Sequence, residues 1–307
     1  MPNDVSPPPA RRARPPAVAA ALAALCLTAA GCGGGPGADR AGTAPPRPGA
    51  DAGSAAPAPA GSSDPPLSPR PSPSSPSAKP LPGGPLTGRT VVIDPGHNPG
   101  NREHVREIGR QVDIGTGRKE CDTTGTSTDD GYAEAHFTLD VSRRLRSLLE
   151  EKGARVLLTH DGDRPFGPCI DERARIGNEA GADAVVSVHA DGSAVGNRGF
   201  HLILPAEVEG GGADTSRIVE SSADLGARIG GHFARTTGSA PSNYVGGKSG
   251  LDTRDDLGGL NLSTVPKVFI ECGNMRDPKD AALLTSGSWR QRAAQGVADG
   301  IAGYLKG

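Results

Sequence analysis

Aromatic residues are scarce in this chain, with one Trp, three Tyr and five Phe making up 3% of its 307 residues. That argues against a stacking platform for bases or sugars. A surplus of charge is missing too: 33 Lys and Arg face 35 Asp and Glu, for a formal net charge of -2. No Lys/Arg cluster recurs along a helical pattern, so the basic footprint that nucleic acid requires is absent and nucleic acid is not an expected partner. There is no long hydrophobic run of membrane-spanning length. The best stretch, Ala17 to Ala30, follows the basic group Arg11-Arg12-Ala13-Arg14 and reads as an export signal. No internal repeat is present, which argues against a solenoid or a propeller.

Gly and Pro are abundant, at 45 and 29 residues, and they are concentrated. From Gly33 to Pro85 the chain is almost wholly Gly, Pro, Ala and Ser, a composition that cannot bury a core. Three segments are therefore expected: a signal at 1–32, a disordered linker at 33–86 and one folded domain at 87–307, long enough for a substantial core. The ending Ala29-Ala30-Gly31-Cys32 resembles the lipobox of bacterial lipoproteins, in which the Cys becomes the lipid-bearing first residue of the mature chain. Cys32 is thus the candidate lipid site, with an extracytoplasmic protein held on the outer face of a membrane as the expectation. The alternative is ordinary cleavage to a secreted protein. The Arg11-Arg12 pair is a poor twin-arginine signal, because Ala13-Arg14-Pro15-Pro16 follows it.

Cysteine is sparse, at five residues. Cys26 leaves with the signal, so the folded domain retains Cys121, Cys169 and Cys272. Cys121 and Cys169 fall in polar loops and form the candidate disulfide for an oxidising compartment, while Cys272 follows an apolar strand and reads as a buried small residue. Three free thiols are the alternative. A Cys272/His189 nucleophilic pair is disfavoured, because alternation along a strand points Cys272 away from Glu271.

Beyond the linker the periodicity predicts strands at 90–93, 155–158, 184–188, 200–204 and 267–270. Helices are predicted at 132–152, 171–180, 216–236, 278–285 and 289–305. Interleaved strands and helices indicate a single α/β domain built on a mostly parallel, twisted sheet with helices on both faces. The stretch 98–130, long and rich in Gly and Thr, is expected to be a lid, a binding loop or a mobile segment.

Three of the strand-like runs stop on a group able to bind a metal or move a proton: Val91-Val92-Ile93-Asp94-Pro95-Gly96-His97, Ala184-Val185-Val186-Ser187-Val188-His189 and Lys267-Val268-Phe269-Ile270-Glu271. Ligand crevices of open α/β sheets lie outside the carboxyl ends of the strands, so His97, His189 and Glu271 are expected at one edge. Two imidazoles with carboxylates suit a zinc-type hydrolase. Asp94 is read as an acceptor that orients a metal ligand, and Glu271 at the rim of an apolar strand as a proton carrier with a raised pKa. Glu134, in the first turn of a helix beside its apolar stripe, has a bland explanation in the helix dipole. His104, His136, His160, His201 and His232 are read as surface or loop residues.

Five motifs in order, the run to His97, the helix Gly131-Tyr132-Ala133-Glu134, the run Gly153-Ala154-Arg155-Val156-Leu157-Leu158-Thr159, the stretch Arg173 to Asp191 and Val265-Pro266-Lys267-Val268-Phe269-Ile270-Glu271-Cys272-Gly273-Asn274-Met275, resemble the zinc-dependent N-acetylmuramoyl-L-alanine amidases, the type 3 amidase domain family of cell-wall hydrolases. The resemblance covers nearly all of 87–307. It implies one zinc held by His97, Glu134 and His189, with Glu271 as the catalytic acid and base. It also implies a peptidoglycan or muropeptide substrate cut at the amide between the lactyl group of N-acetylmuramic acid and L-alanine. A monomer is expected, and no separate wall-binding repeats are found. The family commonly has Asn where this chain has Asp191, Lys where it has Ala135 and Arg where it has His160; none of these removes a ligand. Another wall-directed zinc peptidase, or a catalytically silent wall-binding lipoprotein, are the competing readings.

Overall fold

Branched side chains on successive residues, Val91-Val92-Ile93 in one strand and Val185-Val186 in another, leave neither face of the sheet centre polar, as happens when a sheet is covered on both sides. The structure, a computed structural model, describes residues 83–307. The signal segment, Cys32 and the linker through residue 82 lie outside the described residues. The folded unit takes in residues just before Thr87: Leu86 is fully buried and its N–H donates to Lys152 O.

Ten strands are present among the described residues: β1 (Thr90–Pro95), β2 (Gln111–Asp113), β3 (Arg118–Glu120), β4 (Arg155–Leu158), β5 (Ala184–Asp191), β6 (His201–Pro205), β7 (Glu209–Gly210), β8 (Ala213–Asp214), β9 (Leu251–Arg254) and β10 (Lys267–Asn274). The helices are α1 (Val105–Ile108), α2 (Glu134–Glu151), α3 (Ile170–Glu179), α4 (Val219–Thr237), α5 (Gly258–Asn261), α6 (Pro278–Leu284) and α7 (Gly287–Lys306). Six strands form one sheet in the order β4-β1-β5-β10-β6-β9. β4, β1, β5 and β10 run parallel, β6 is antiparallel to β10, and β9 is parallel to β6. The mostly parallel sheet expected from the sequence is thus present; its middle strands are β1, which leads into His97, and β5 and β10, which carry His189 and Glu271 and continue to Asp191 and Asn274.

Alternation sorts the side chains between two cores. Val91, Ile93, Val186, Val188, Val268 and Ile270 face α2, α4 and α7 in the main cluster, whereas Val92 and Val185 pack against Ile176 of α3. Helix α2 buries Phe137, Val141, Leu145 and Leu149, and each such side chain contributes roughly 1.5 to 3 kcal/mol. Gly153, just past its C-cap Lys152, has a φ of 92° that suits glycine.

The stretch 98–130 is more ordered than a single loop. It holds a 3-10 turn (Pro99–Glu103), α1 and the antiparallel hairpin of β2 and β3. Asn261 Nδ2 donates to Ile114 O and Asp255 O, and Lys119 Nζ sits 2.9 Å from Asp256, so the hairpin is pinned to the chain around α5. A disulfide joins Cys121 to Cys169, tying the end of β3 to the residue that precedes α3, and Cys272 lies free in the main core. Two histidines read as surface or loop residues are buried: His160 sits with Nε2 3.0 Å from Pro95 O, and His201 lies on the inner strand β6. Both follow or begin strands, which carries them under neighbouring loops.

Helices α4 and α7 approach closely through glycine: a Cβ on Gly300 would lie 2.5 Å from Ile229 Cα, while one on Gly303 would meet only His232 Nε2 at 3.6 Å. Alanine gains about 1 kcal/mol of helix propensity at either position, but overpacking against backbone costs roughly 1 to 3 kcal/mol. Gly303→Ala is expected to stabilise the domain and Gly300→Ala to destabilise it, a difference of sign that urea denaturation of the two variants measures.

Candidate metal centre and active site

After β1 the chain must turn sharply, and Gly96 permits it: a Cβ there would collide with the His189 ring. The turn leaves His97 with φ 61°, the single non-glycine residue with positive φ among the described residues, a conformation costing roughly 1 to 2 kcal/mol. Its Nδ1 lies 3.1 Å from Thr123 O, and its Nε2 lies 3.1 Å from Glu134 Oε2. His189, near the end of β5, stacks on Phe269 with ring centroids 5.2 Å apart, and its Nδ1 lies 3.0 Å from Glu134 Oε1. Glu134 is the first residue of α2 and is buried. Its carboxylate also accepts the N–H groups of Thr126 and Ala190, at 3.0 and 3.2 Å, which fixes its plane between the two imidazoles. Glu271 stands beside His189 in the β10–β5 register and lines the same cavity as His97, Glu134 and His189.

The electrostatics separate the two glutamates. Burial pushes the Glu134 carboxyl upward, but the flanking imidazoles outweigh it and hold Glu134 well below the usual carboxylate range. Burial pushes His97 downward, but Glu134 and Asp122 together drive it up to about 10. The two shifts are reciprocal, since each reflects the attraction between the Glu134 carboxylate and the imidazole beside it. Glu271 goes the other way: burial, then the like charges of Glu134 and Asp191, raise its pKa well above the ordinary value. Its Oε2 is buried without a hydrogen-bond partner in the protein.

His97, Glu134 and His189 each offer one ligand atom, and these atoms lie within 4.8 Å of one another. Two imidazoles and one carboxylate form a donor set suited to zinc in a catalytic setting, where three protein ligands leave a position open. Thr123 O accepts from His97 Nδ1, which leaves the Nε2 lone pair for a cation. The residues present therefore fit a zinc ion.

A match to the N-acetylmuramoyl-L-alanine amidase family spans residues 91–303. The chain belongs to this family. It is 40% identical over 233 residues to the N-acetylmuramoyl-L-alanine amidase Rv3717 of Mycobacterium tuberculosis, covering 76% of this chain and 91% of that protein. Among solved structures it resembles the amidase Ami1 of Mycobacterium smegmatis at 39% identity and a TM-score of 0.65, covering 72% of this chain and 98% of that one. The apo form of Ami1 from Mycobacterium abscessus matches at 39% identity and a TM-score of 0.64, covering 72% of this chain and all of that one, 100%. Zinc dependence is general among members of the amidase family.

Several residues of this amidase-family site have no signature in the sequence. Phe269 is the exception, since it lies two residues before Glu271 on one strand face. Asp191 accepts from Tyr244 Oη at 2.6 Å, so the carboxylate found here in place of the family's common Asn adds negative charge near Glu271. A cavity of about 430 Å³ opens beside the cluster, lined by Phe269, Ile170 and Leu257 and walled by Arg118 and Lys119 of the hairpin.

Asp94, expected to orient a metal ligand as an acceptor, makes no hydrogen bond to the imidazole of His97 or His189. It is fully engaged elsewhere: Oδ1 accepts from Thr159 and Arg173, and Oδ2 accepts from Ser187 and lies 3.2 Å from Lys267 Nζ. Burial would raise its pKa, yet Lys267 and Arg173 hold it far below the ordinary range. A carboxyl depressed in this way stabilises the fold above its unfolded pKa, near 3.9, and loses that contribution as pH falls. Asp94→Asn is therefore expected to cost roughly 3 to 5 kcal/mol near neutrality, because it leaves Lys267 buried without its counter-charge and removes one of the two carboxylates paired with Arg173. The gap from the wild type should narrow below about pH 4, as followed by denaturant melts across pH.

Proposed function

We propose that the protein hydrolyses the amide between the lactyl group of N-acetylmuramic acid and the L-alanine of the stem peptide in peptidoglycan. The observation that carries this reading is the convergence of His97, Glu134 and His189 on one point, with Glu271 facing them from the adjacent strand. In this reading the first three hold one zinc ion. When bound, zinc would polarise the scissile carbonyl and lower the pKa of water in the site. Glu134 stays ionised and completes the charge balance of the ligand set, while Phe269 fixes the plane of the His189 ring. Glu271, with a raised pKa and an unengaged Oε2, takes a proton from the attacking water as the C–O bond forms. It delivers that proton to the alanine nitrogen as the C–N bond breaks, so one carboxyl serves both transfers.

Mass spectrometry of peptidoglycan fragments before and after incubation with the zinc-loaded protein tests the reaction. Stem peptides with a free L-alanine amine are expected. Cuts inside the peptide would make it a different wall-directed peptidase, and uncut fragments would leave a wall-binding protein. Glu271→Gln should keep its zinc and lose at least about two orders of magnitude in turnover, since it preserves shape and deletes the proton carrier. Glu134→Ala should lose zinc on metal analysis.

The reading extends to placement. Cys32 would carry lipid, and the linker would tether the domain to the outer face of a membrane with a reach of roughly 40 Å as a flexible coil and about 170 Å if Pro keeps it extended. Among the described residues no helix is long and apolar enough to cross a membrane. Two or more acyl chains anchor stably where one does not. Membrane fractionation and intact mass should show lipidated wild type in the membrane and Cys32→Ala released from it; unlipidated wild type in the medium would replace the tether with free secretion.

A further inference from the structure

Arg173 leaves the first turn of α3 and is buried, with its side chain 5% exposed. An arginine has five N–H donors in a fixed planar fork, and all of them are used here. Nε donates to Pro168 O at 2.8 Å, Nη1 to Asp94 Oδ1 and Pro95 O at 2.8 and 2.6 Å, and Nη2 to His97 O and Asp122 Oδ2 at 2.9 and 2.8 Å. These acceptors are not a random sample of the interior. Asp94 and Pro95 are the last residues of β1, and His97 is the residue in the left-handed backbone conformation that follows.

Asp122 extends the grip from the backbone of His97 to its ring. Its second oxygen accepts the N–H of Thr123 at 2.8 Å and stands 3.7 Å from His97 Nδ1, while Thr123 O takes the hydrogen bond from that same nitrogen. A carbonyl can only accept, so Thr123 fixes the proton on Nδ1 and turns Nε2 toward Glu134. One guanidinium thus restrains both ends of His97: its carbonyl directly, and its imidazole through Asp122 and Thr123. The disulfide from Cys121 to Cys169 closes the same circuit, since Cys121 precedes Asp122 and Cys169 immediately precedes α3.

We propose that Arg173 is a positioning residue for the metal centre, holding His97 in its left-handed turn and correct tautomer so that the ligand set is formed before metal arrives. This rests on the reading of His97, Glu134 and His189 as a zinc site. Lysine cannot substitute, because a single ammonium with three donors cannot reach acceptors spread around a planar fork. Lys267 provides the contrast: it also pairs with Asp94 from within the core, but it makes no hydrogen bond to His97, Thr123 or Asp122.

The test measures metal rather than turnover, using the whole protein, competition with a chromophoric zinc chelator and the visible spectrum of the cobalt(II)-substituted form. Arg173→Lys is expected to bind zinc about 10- to 100-fold more weakly with an altered cobalt spectrum, the size of effect that groups orienting a metal's ligands usually have. Gly300→Ala, at the contact of α4 with α7 on the opposite face of the sheet, is expected to lower the melting temperature while leaving zinc affinity within about twofold of wild type. The proposal is overturned by wild-type zinc affinity and cobalt spectrum in Arg173→Lys, or by an equal loss of affinity in Gly300→Ala, which would mark general damage to the core. Should Arg173→Lys fail to fold, Asp122→Asn decides: a severalfold weaker zinc affinity supports the circuit and an unchanged one refutes it. A wild-type protein with no zinc affinity would remove the metal-site reading itself, and this inference with it.

Discussion

A carboxylate buried at the centre of the sheet holds the domain's polar half together. Asp94 sits where the apolar part of β1 ends, met by Lys267 from the start of β10 and by Arg173 from α3. Buried charges are expensive unless paired and hydrogen-bonded, and every oxygen of Asp94 is. The outcome is a fixed point shared by two central strands, one helix and, through Arg173, the loop that follows β1. The face toward α2, α4 and α7 can then be wholly apolar, while the opposite face carries the chemistry.

That division explains how two glutamates a short distance apart come to behave differently. Glu134 lies between two imidazoles and two backbone N–H groups, so desolvation is overcome and the ionised form is kept. Glu271 lies among other carboxylates on an apolar strand rim, so desolvation and like charge act together and raise its affinity for a proton. A metal ligand needs the first environment and a group that must both take and return a proton needs the second. Pairs of carboxyls whose surroundings drive them apart mark such assignments in general.

Much of this architecture could be read from the chain, and the missing parts share a cause. The strands that lead into His97 or carry His189 and Glu271 announce themselves by β-branched runs followed by polar groups, and the helices by their apolar stripes. Glu134 could not be assigned from its own surroundings in the sequence, because its partners His97 and His189 come from distant strands; the family resemblance was needed to separate a ligand from a dipole effect. Arg173 and Asp122 gave no signal for the same reason, as ion pairing has no period. The hairpin of β2 and β3 escaped because three-residue strands such as Arg118-Lys119-Glu120 are too short and too charged to alternate visibly. β9, at the sheet edge with Asp252, Thr253 and Arg254, was missed likewise.

The scarcity of aromatics has a final consequence at the site. Among the described residues, Phe269 is the one aromatic residue other than the histidines along the 430 Å³ cavity beside His97, Glu134 and His189, and its ring is already stacked on His189 with Lys267 Nζ 5.5 Å from the ring centre. It serves to hold the ligand set, so it does not supply a free platform on which a sugar could stack. The hairpin's share of the cavity lining is polar and charged, from Gln111, Arg118, Lys119 and Glu120, and its position is set by the Cys121–Cys169 bridge and the bonds from Asn261. Such groups gain little from contact with a flexible partner unless they are held in place beforehand, because the entropy of ordering them would offset each new hydrogen bond. The covalent and hydrogen-bonded anchoring of the hairpin meets that requirement, and it fixes a stretch with no recognisable sequence pattern beside the residues of the candidate centre.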